Sequence, residues 1–406
     1  MRREGDNMLG LKRQNRAAVL FSLHRYGGLS RKSLAAMLHL TPAAITKIVS
    51  ELIFEGLIFE DGSVPSDGAG RREITLRLNM QRFCTLGVSI GLKNAILSAV
   101  KTDGEILFAE TVPIALRAPA EQTIKALCAR LLMLAEAHQL DRQTILGVGI
   151  AVRGVIGEDG RTVKMSFDAL DTENVPICDR AEAYTGYRSV LSNNVRALLS
   201  AQMFLSRDQK PESTFFLRCG SGIGAAFSVG DEVLEGDRRQ CAEIGHIPVI
   251  RRGGKPCHCG KSGCLETIAS PAAIVSEAKD RFSKEQTPLL YRLANGESDR
   301  ITTALVLDAA RGGDAGACAI ADRAAEALAD ALKCTVYLLD PGKIVLYGEI
   351  FEHPYFASRL SAEMDVGVDA AHAVPMEKSR FNGQLEERAA GLLYTNAFYQ
   401  NGGIRE

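Results

Sequence analysis

The chain predicts a small winged helix-turn-helix followed by a larger two-lobed α/β body, and three observations carry that expectation. Two short helical stretches near the N-terminus each open on a capping residue and lead into an alternating hairpin pattern. From about residue 83 the texture changes to strand–turn–strand runs followed by helices, and it does so twice. With 406 residues, 46% of them apolar and 24% charged, the chain is long enough for several domains and apolar enough to bury their cores. The boundary falls between residues 1–80 and 81–406.

The head comes first. Residues 12–26, KRQNRAAVLFSLHRY, place Ala17, Val19, Leu20, Leu23 and Tyr26 at helical spacing, and Gly27 and Gly28 end that helix. Ser30 then stands as an N-cap, with Leu29 before it and Leu34 four positions into the next helix, a hydrophobic staple. Thr41 repeats the device, with Pro42 in the first helical position and Leu40 stapling to Ile45. This helix buries Ile45, Ile48, Val49, Leu52 and Ile53 and turns Ala43, Ala44, Thr46, Lys47 and Ser50 outward; Gly56 stops it. Small and polar residues on a free face suit a helix that enters a DNA major groove.

GLIFED and REITLRL alternate around GSVPSDGAGRR and read as a wing, with Arg71 and Arg72 placed to reach phosphates or a minor groove. Candidate contacts to double-stranded operator DNA are therefore Ser30, Arg31, Thr41, Ala43, Ala44, Thr46, Lys47, Ser50, Arg71 and Arg72. Charge points the same way: the first fifty residues carry +7 and the rest −8. A solvated basic tail, or a helical domain that binds protein, is the plainer alternative.

The body opens with CTLGVSIGLKNAILSAVKTDGEILFAETVPI, read as three strands joined by turns, then a helix at about 120–138 and a buried strand at 145–152. Residues 213–229, STFFLRCGSGIGAAFSV, repeat the strand–glycine turn–strand pattern, so the expected body has two lobes around a cleft. An alanine-rich helical pattern at 302–340 serves either core or subunit packing. Of ten cysteines, seven lie singly, which argues against a secreted disulfide framework; no signal segment or membrane span is read, and the cytoplasm is expected. The other three cysteines crowd into CHCGKSGCLE, residues 257–266, a spacing suited to metal ligands.

AEIGHIPV (242–249), CHCGKSGCLE, CGSGIG (219–224) and the winged helix together resemble the ROK family of repressors, open reading frames and kinases, over about residues 12–400. More narrowly the chain is similar to the DNA-binding branch, the xylose and N-acetylglucosamine repressors. The resemblance implies an actin-like ATPase-domain body with two lobes about a sugar cleft, a sugar or sugar-phosphate effector, and a bacterial source. His246, Cys257, Cys259 and Cys264 then form a one-His, three-Cys set that fills a tetrahedral structural Zn²⁺ site and leaves no open position for hydrolysis. A reduced thiol cluster without metal is the alternative, and His258 is expected to face solvent. The implied sugar contacts are Asn193, Asn194, Glu243, His246 and Glu266.

Departures from the kinases of that family bear on activity. Their first strand ends in DIGGT, whose Asp and glycines handle Mg²⁺ and phosphates; here SIGLK puts Ser89, Leu92 and Lys93 in those places. Their sugar-hydroxyl base is an Asp where LSNNVRALLSAQ has Asn194, and a carboxamide cannot accept the proton. Losing a general base removes a factor of about 10²–10⁴ in rate. Tyr347 and Glu349, in DPGKIVLYGEI, intrude on a strand that is glycine-rich in those kinases. The expectation is a sugar-responsive repressor, not an enzyme, with no catalytic residue and no membrane partner, working as a homodimer or higher oligomer on paired half-sites. Two other readings stay open: a bifunctional sugar kinase that also binds DNA, and a repressor controlled by a sugar-transport protein.

Overall fold

Capping places the helices of the head as the sequence dictates. In the computed structural model, which describes residues 8–64, 73–166, 169–171, 173–206, 213–366, 372–381 and 383–405, the head comprises α1 (Met8–Tyr26), β1 (Leu29–Ser30), α2 (Arg31–Leu38), α3 (Pro42–Phe54), β2 (Ile58–Val64) and β3 (Glu73–Leu78). The Ser30 hydroxyl accepts from the Ser33 amide at 3.1 Å, and the Thr41 hydroxyl accepts from the Ala44 amide at 3.3 Å. Leu34, Ile45, Ile48, Val49 and Leu52 are buried as the periodicity requires. Ile53 sits at the edge of that stripe and is half-buried. Tyr26 departs from expectation: it is the last residue of α1 and is 54% exposed.

The wing sheet has the order β1-β3-β2, all antiparallel, and pairs Leu29 with Leu76 and Ile58 with Leu78. An extra residue in β2 between Glu60 and Ser63 shifts the register, a bulge. The alternation read in REITLRL is broken too: Ile74 is exposed, while Thr75 is buried beneath Gly28. Arg71 and Arg72 lie outside the described residues.

The basic charge of the head is less available than its sum suggests. Across residues 1–80 twelve Lys/Arg face eight Asp/Glu, because Glu51, Glu55, Glu60 and Asp61 follow directly on the basic stretch. Lys12 pairs with Glu51 at 2.9 Å, Arg31 with Glu60 at 2.9 Å and Lys32 with Glu73 at 3.3 Å.

Two compact units divide the chain: Met1–Lys210 with Gln384–Glu406, and Pro211–Gly383. Beyond the head, the first unit contains β4 (Cys84–Ile90), β5 (Asn94–Lys101), β6 (Ile106–Pro113), α4 (Ala120–Ala137), β7 (Ile145–Val152), α5 (Ile177–Thr185), β8 (Ser189–Asn193) and α6 (Asn194–Leu205). The sheet order is β8-β7-β4-β5-β6, with β4 antiparallel to β5 and parallel to β7. All eight residues of β7 are buried, as a strand covered on both faces must be.

The second unit contains β9 (Ser213–Cys219), β10 (Ile223–Val229), β11 (Glu232–Val233), α7 (Pro271–Asp280), α8 (Thr303–Arg311), α9 (Ala315–Leu339), β12 (Lys343–Tyr347), α10 (Pro354–Asp365) and β13 (Met376–Lys378). Its sheet order is β11-β10-β9-β12-β13. Each sheet thus has its first strand in the middle, two antiparallel strands to one side and two parallel strands to the other. The same topology occurs twice, the duplicated arrangement that the family resemblance implies. The alanine-rich stretch 302–340 forms α8 and α9, and α9 buries eleven of its residues, so much of it is core. Among the described residues no single helix is long and apolar enough to cross a membrane.

The C-terminal helix (Leu385–Gln400) belongs to the first unit and packs across β4, β7 and α6. Its backbone approaches so closely that a Cβ at Gly149 would lie 1.7 Å from the Ala390 carbonyl oxygen. Gly149→Val therefore is expected to destabilise the first unit by about 3 kcal/mol or more, read from urea denaturation. A second expectation concerns pH. The Lys12 hydrogen bond, assisted by Arg16 and opposed by burial, holds the Glu51 carboxyl below its ordinary value of 4.5. A depressed folded pKa contributes stability that is fully present above 4.5 and lost as pH falls through the lower folded value. The difference in thermal midpoint between wild type and Glu51→Gln should accordingly shrink as pH is lowered from neutral into that range.

Candidate functional site

The cysteine loop is built by backbone pairing before any metal enters. The amides of Val249 and Ile250 both donate to the Gly263 carbonyl, Leu265 N donates to Ile247 O, and Gly263 N donates to Lys255 O. These bonds fold residues 247–265 back on themselves. A tight turn at Cys257–Gly260, closed by Gly260 N on Cys257 O at 3.0 Å and Cys257 N on Lys261 O at 2.8 Å, aims the thiols inward. His246 arrives from a single 3₁₀ turn, Ile244–His246, and its carbonyl accepts from Lys261 Nζ at 3.1 Å.

His246, Cys257, Cys259 and Cys264 offer one ligand atom each, all within 4.8 Å of one another. Two thiolates about 2.3 Å from a tetrahedral ion stand roughly 3.8 Å apart, and a thiolate and an imidazole nitrogen roughly 3.6 Å apart. The Cys259 and Cys264 sulfurs are 3.6 Å apart, and Cys257 Sγ is 3.6 Å from His246 Nδ1. The four residues named from the sequence are thus brought together at the size of a tetrahedral cage, and they fit a metal ion.

Contrary to what its place between two ligands suggests, His258 does not simply face solvent. The residue is exposed, but its ring turns inward: Nδ1 lies 2.9 Å from Glu266 Oε1, and the ring meets His246 edge to face at 5.0 Å. The reason is Glu266, only 8% exposed at the start of a single-turn helix, Glu266–Ala269. Its Oε1 accepts from Cys257 Sγ at 2.9 Å and stands 3.6 Å from His246 Nδ1. Burial alone would raise the Glu266 carboxyl, yet the hydrogen bonds from His258 and Cys257 outweigh it and hold the group below its usual range. A CxC spacing with a histidine between the cysteines was the available signal for this contact. Glu243 is exposed, at the edge of the same 3₁₀ turn.

Asn193 and Asn194 belong to the first unit, where β8 passes into α6. Asn193 is the N-cap of α6: its Oδ1 accepts from Val195 N at 2.9 Å, while its Nδ2 donates to Gly154 O at 3.0 Å. Its carboxamide is therefore committed to holding the chain in place. Asn194 is half-buried beside it, and its side chain makes no hydrogen bond among the described residues. Both amides stand at the N-terminal end of a helix, where backbone N–H groups point toward incoming oxygens.

On the head, Ala43, Thr46, Lys47 and Ser50 form the exposed face of α3, with Thr41 exposed before it and Ala44 half-buried. Thr46 and Ser50 bond back to the carbonyls of Pro42 and Thr46, each at 2.8 Å, which leaves methyl and methylene groups and the Lys47 ammonium as the outward chemistry. Ser30 is buried by its capping role, and Arg31 is held by Glu60.

With this geometry in hand, the similarities to known proteins are specific. The ROK family matches residues 85–390, and the MarR family matches residues 13–59. The DNA-binding transcriptional dual regulator NagC of Escherichia coli (strain K12) is 28% identical over 348 residues, 84% of this chain and 82% of that protein. A glucokinase of Thermotoga maritima is 28% identical over 271 residues, 67% of this chain and 83% of its own. The crystal structure of a ROK family transcriptional regulator, a homologue of the E. coli MLC protein, superposes with a TM-score of 0.82 at 24% identity, covering 97% of each chain.

The cage gives a direct expectation. Co²⁺ added to metal-free protein should produce the strong visible absorption of a tetrahedral thiolate complex, and Cys264→Ser should weaken it markedly.

Proposed function

The chain belongs to the ROK family, and from that premise we propose that it is a sugar-responsive transcriptional repressor. Its winged helix binds double-stranded operator DNA through α3, and its body binds a sugar or sugar phosphate that changes how tightly the operator is held. The observation that carries this reading is the union in one chain of a MarR-type head with an exposed, small-residue α3 face and a ROK body. Ala43, Ala44, Thr46, Lys47 and Ser50 face the groove, with Thr41 and Arg31 at the flanks, and Arg71 and Arg72, outside the described residues, serve as further phosphate contacts. Ser30 serves by capping α2. Asn194, Glu243, His246 and Glu266 contact sugar hydroxyls, and Asn193 fixes the position of Asn194.

His246, Cys257, Cys259 and Cys264 hold a structural Zn²⁺, which sets the loop from which Glu266 projects. With Asn194 in place of a carboxylate no group at that position takes a proton from a sugar hydroxyl, so the body binds without phosphorylating. Two heads act together on a palindromic site, which requires a dimer or higher oligomer, working in the cytoplasm. NagC, a DNA-binding regulator by its name, supports this reading. The glucokinase similarity favours a second reading, a sugar kinase that also binds DNA.

Selection from a random duplex pool by the purified protein should enrich one palindromic sequence. Lys47→Ala should weaken binding to it and lower the slope of log affinity against log salt by about one. A thermal-shift panel of pentoses, hexoses, N-acetylhexosamines and their 6-phosphates should identify the effector, which should change operator affinity by about 100-fold, or roughly 2.7 kcal/mol of coupling. Hexose-driven ATP turnover that is lost in Asn194→Ala, or failure to enrich any duplex, would falsify the repressor reading.

A further inference from the structure

Arg16 lies in the middle of α1 with its side chain 2% exposed. Its Nε donates to the Gly402 carbonyl at 2.8 Å, while its two terminal nitrogens pair with Glu51 Oε2 at 3.1 Å and Glu55 Oε2 at 2.5 Å. One guanidinium therefore ties together α1, the end of α3 and the segment Asn401–Arg405 that follows the C-terminal helix. That segment is shaped for the contact. Gly402 has φ 70°, and a Cβ there would lie 2.8 Å from the Arg13 carbonyl oxygen and 3.0 Å from Arg16 Cβ. A Cβ at Gly403, φ 72°, would come 2.6 Å from Leu57, just beyond α3.

Two further contacts fix the segment and the helix it meets. The Arg405 guanidinium lies over the Phe83 ring at 5.1 Å. Farther along α1, the His24 ring packs on Phe204 of α6 with centroids 4.0 Å apart. Helix α1 is thus fastened to the rest of the first unit at both positions, and α3 is fastened to α1. The family matches, residues 13–59 and 85–390, do not extend to Asn401–Arg405.

We propose that Arg16 and the segment Asn401–Arg405 form a latch that sets the orientation of α3 on the first unit, with Arg16 as a positioning residue for operator reading. The DNA part of this inference rests on the function proposed above. A buried guanidinium is held only by its full set of partners, and its loss frees the junction. Glu51 and Glu55 are partly exposed and can be solvated, so the head stays folded but swivels. Paired heads read a palindrome only when both recognition helices keep a fixed spacing, whereas non-specific binding depends on surface charge alone. A loosened latch should therefore cost specific binding and spare non-specific binding, which loss of folding would not do.

The test compares wild type with Arg16→Met, Gly402→Val and Glu55→Gln. Its readouts are amide hydrogen exchange over Asn401–Arg405, affinity for the duplex that wild type selects, and affinity for an unrelated duplex of equal length. Faster exchange in that segment, a loss on the order of tenfold on the selected duplex, and unchanged affinity for the unrelated one are expected. Arg16→Lys, which keeps the charge, should recover part of the loss. Wild-type exchange and affinity in folded Arg16→Met and Gly402→Val, or an equal loss on both duplexes, would overturn the latch. Should Arg16→Met fail to fold, Glu55→Gln reads the same contact from its solvated side. If wild type selects no duplex, the repressor reading fails while the exchange rates still decide the latch.

Discussion

The Ala390 carbonyl oxygen rests where a side chain at position 149 would stand, and the assembly of the first unit depends on that close approach. Only a glycine in the buried strand β7 lets the C-terminal helix lie flat on the sheet. Once there, the helix is pinned by Thr85, whose hydroxyl donates to the Gly391 carbonyl at 2.9 Å. The same seating carries residues 401–405 to α1 and so brings the Gly402 carbonyl to the Arg16 guanidinium. A backbone contact inside the body thereby governs how the DNA-binding head is held.

The candidate site residues also serve the local structure around them. The start of α6 needs an N-cap, and Asn193 supplies it with a carboxamide oxygen. The next residue, Asn194, is the first residue of α6. In the other unit, Glu266 is embedded among His258, His246 and Cys257, so the cysteine loop and the carboxylate form one connected structure.

Much of this was legible from residues alone, and for local reasons. Ser30 and Thr41 announce α2 and α3 because capping is a matter of three or four neighbouring residues. ILGVGIAV announces a buried strand because nothing polar interrupts it. Cys257, Cys259 and Cys264 stand out because three cysteines fall within eight residues. What escaped notice depends on contacts between distant residues. Lys12 and Arg16 sit one turn apart on α1, and Glu51 and Glu55 one turn apart at the C-terminal end of α3, a complementary pattern visible only once the two helices are known to face each other. A boundary drawn at residue 80 follows a change of texture, whereas the grouping of the head with Gln384–Glu406 is set by packing. The broken alternation in β3 reflects a bulge in its partner strand and the cover provided by Gly28, neither of which the strand itself encodes.

The bond between Arg16 and Gly402 spans 386 positions. At ribosomal speeds of about 5–20 residues per second, roughly 20–80 s pass between synthesis of its donor and synthesis of its acceptor. Helices α1 to α3 can be capped and folded before that interval ends, but their attachment to Gly402 waits for it. A nascent chain thus carries a finished head on an unfinished mount until residue 402 has been made.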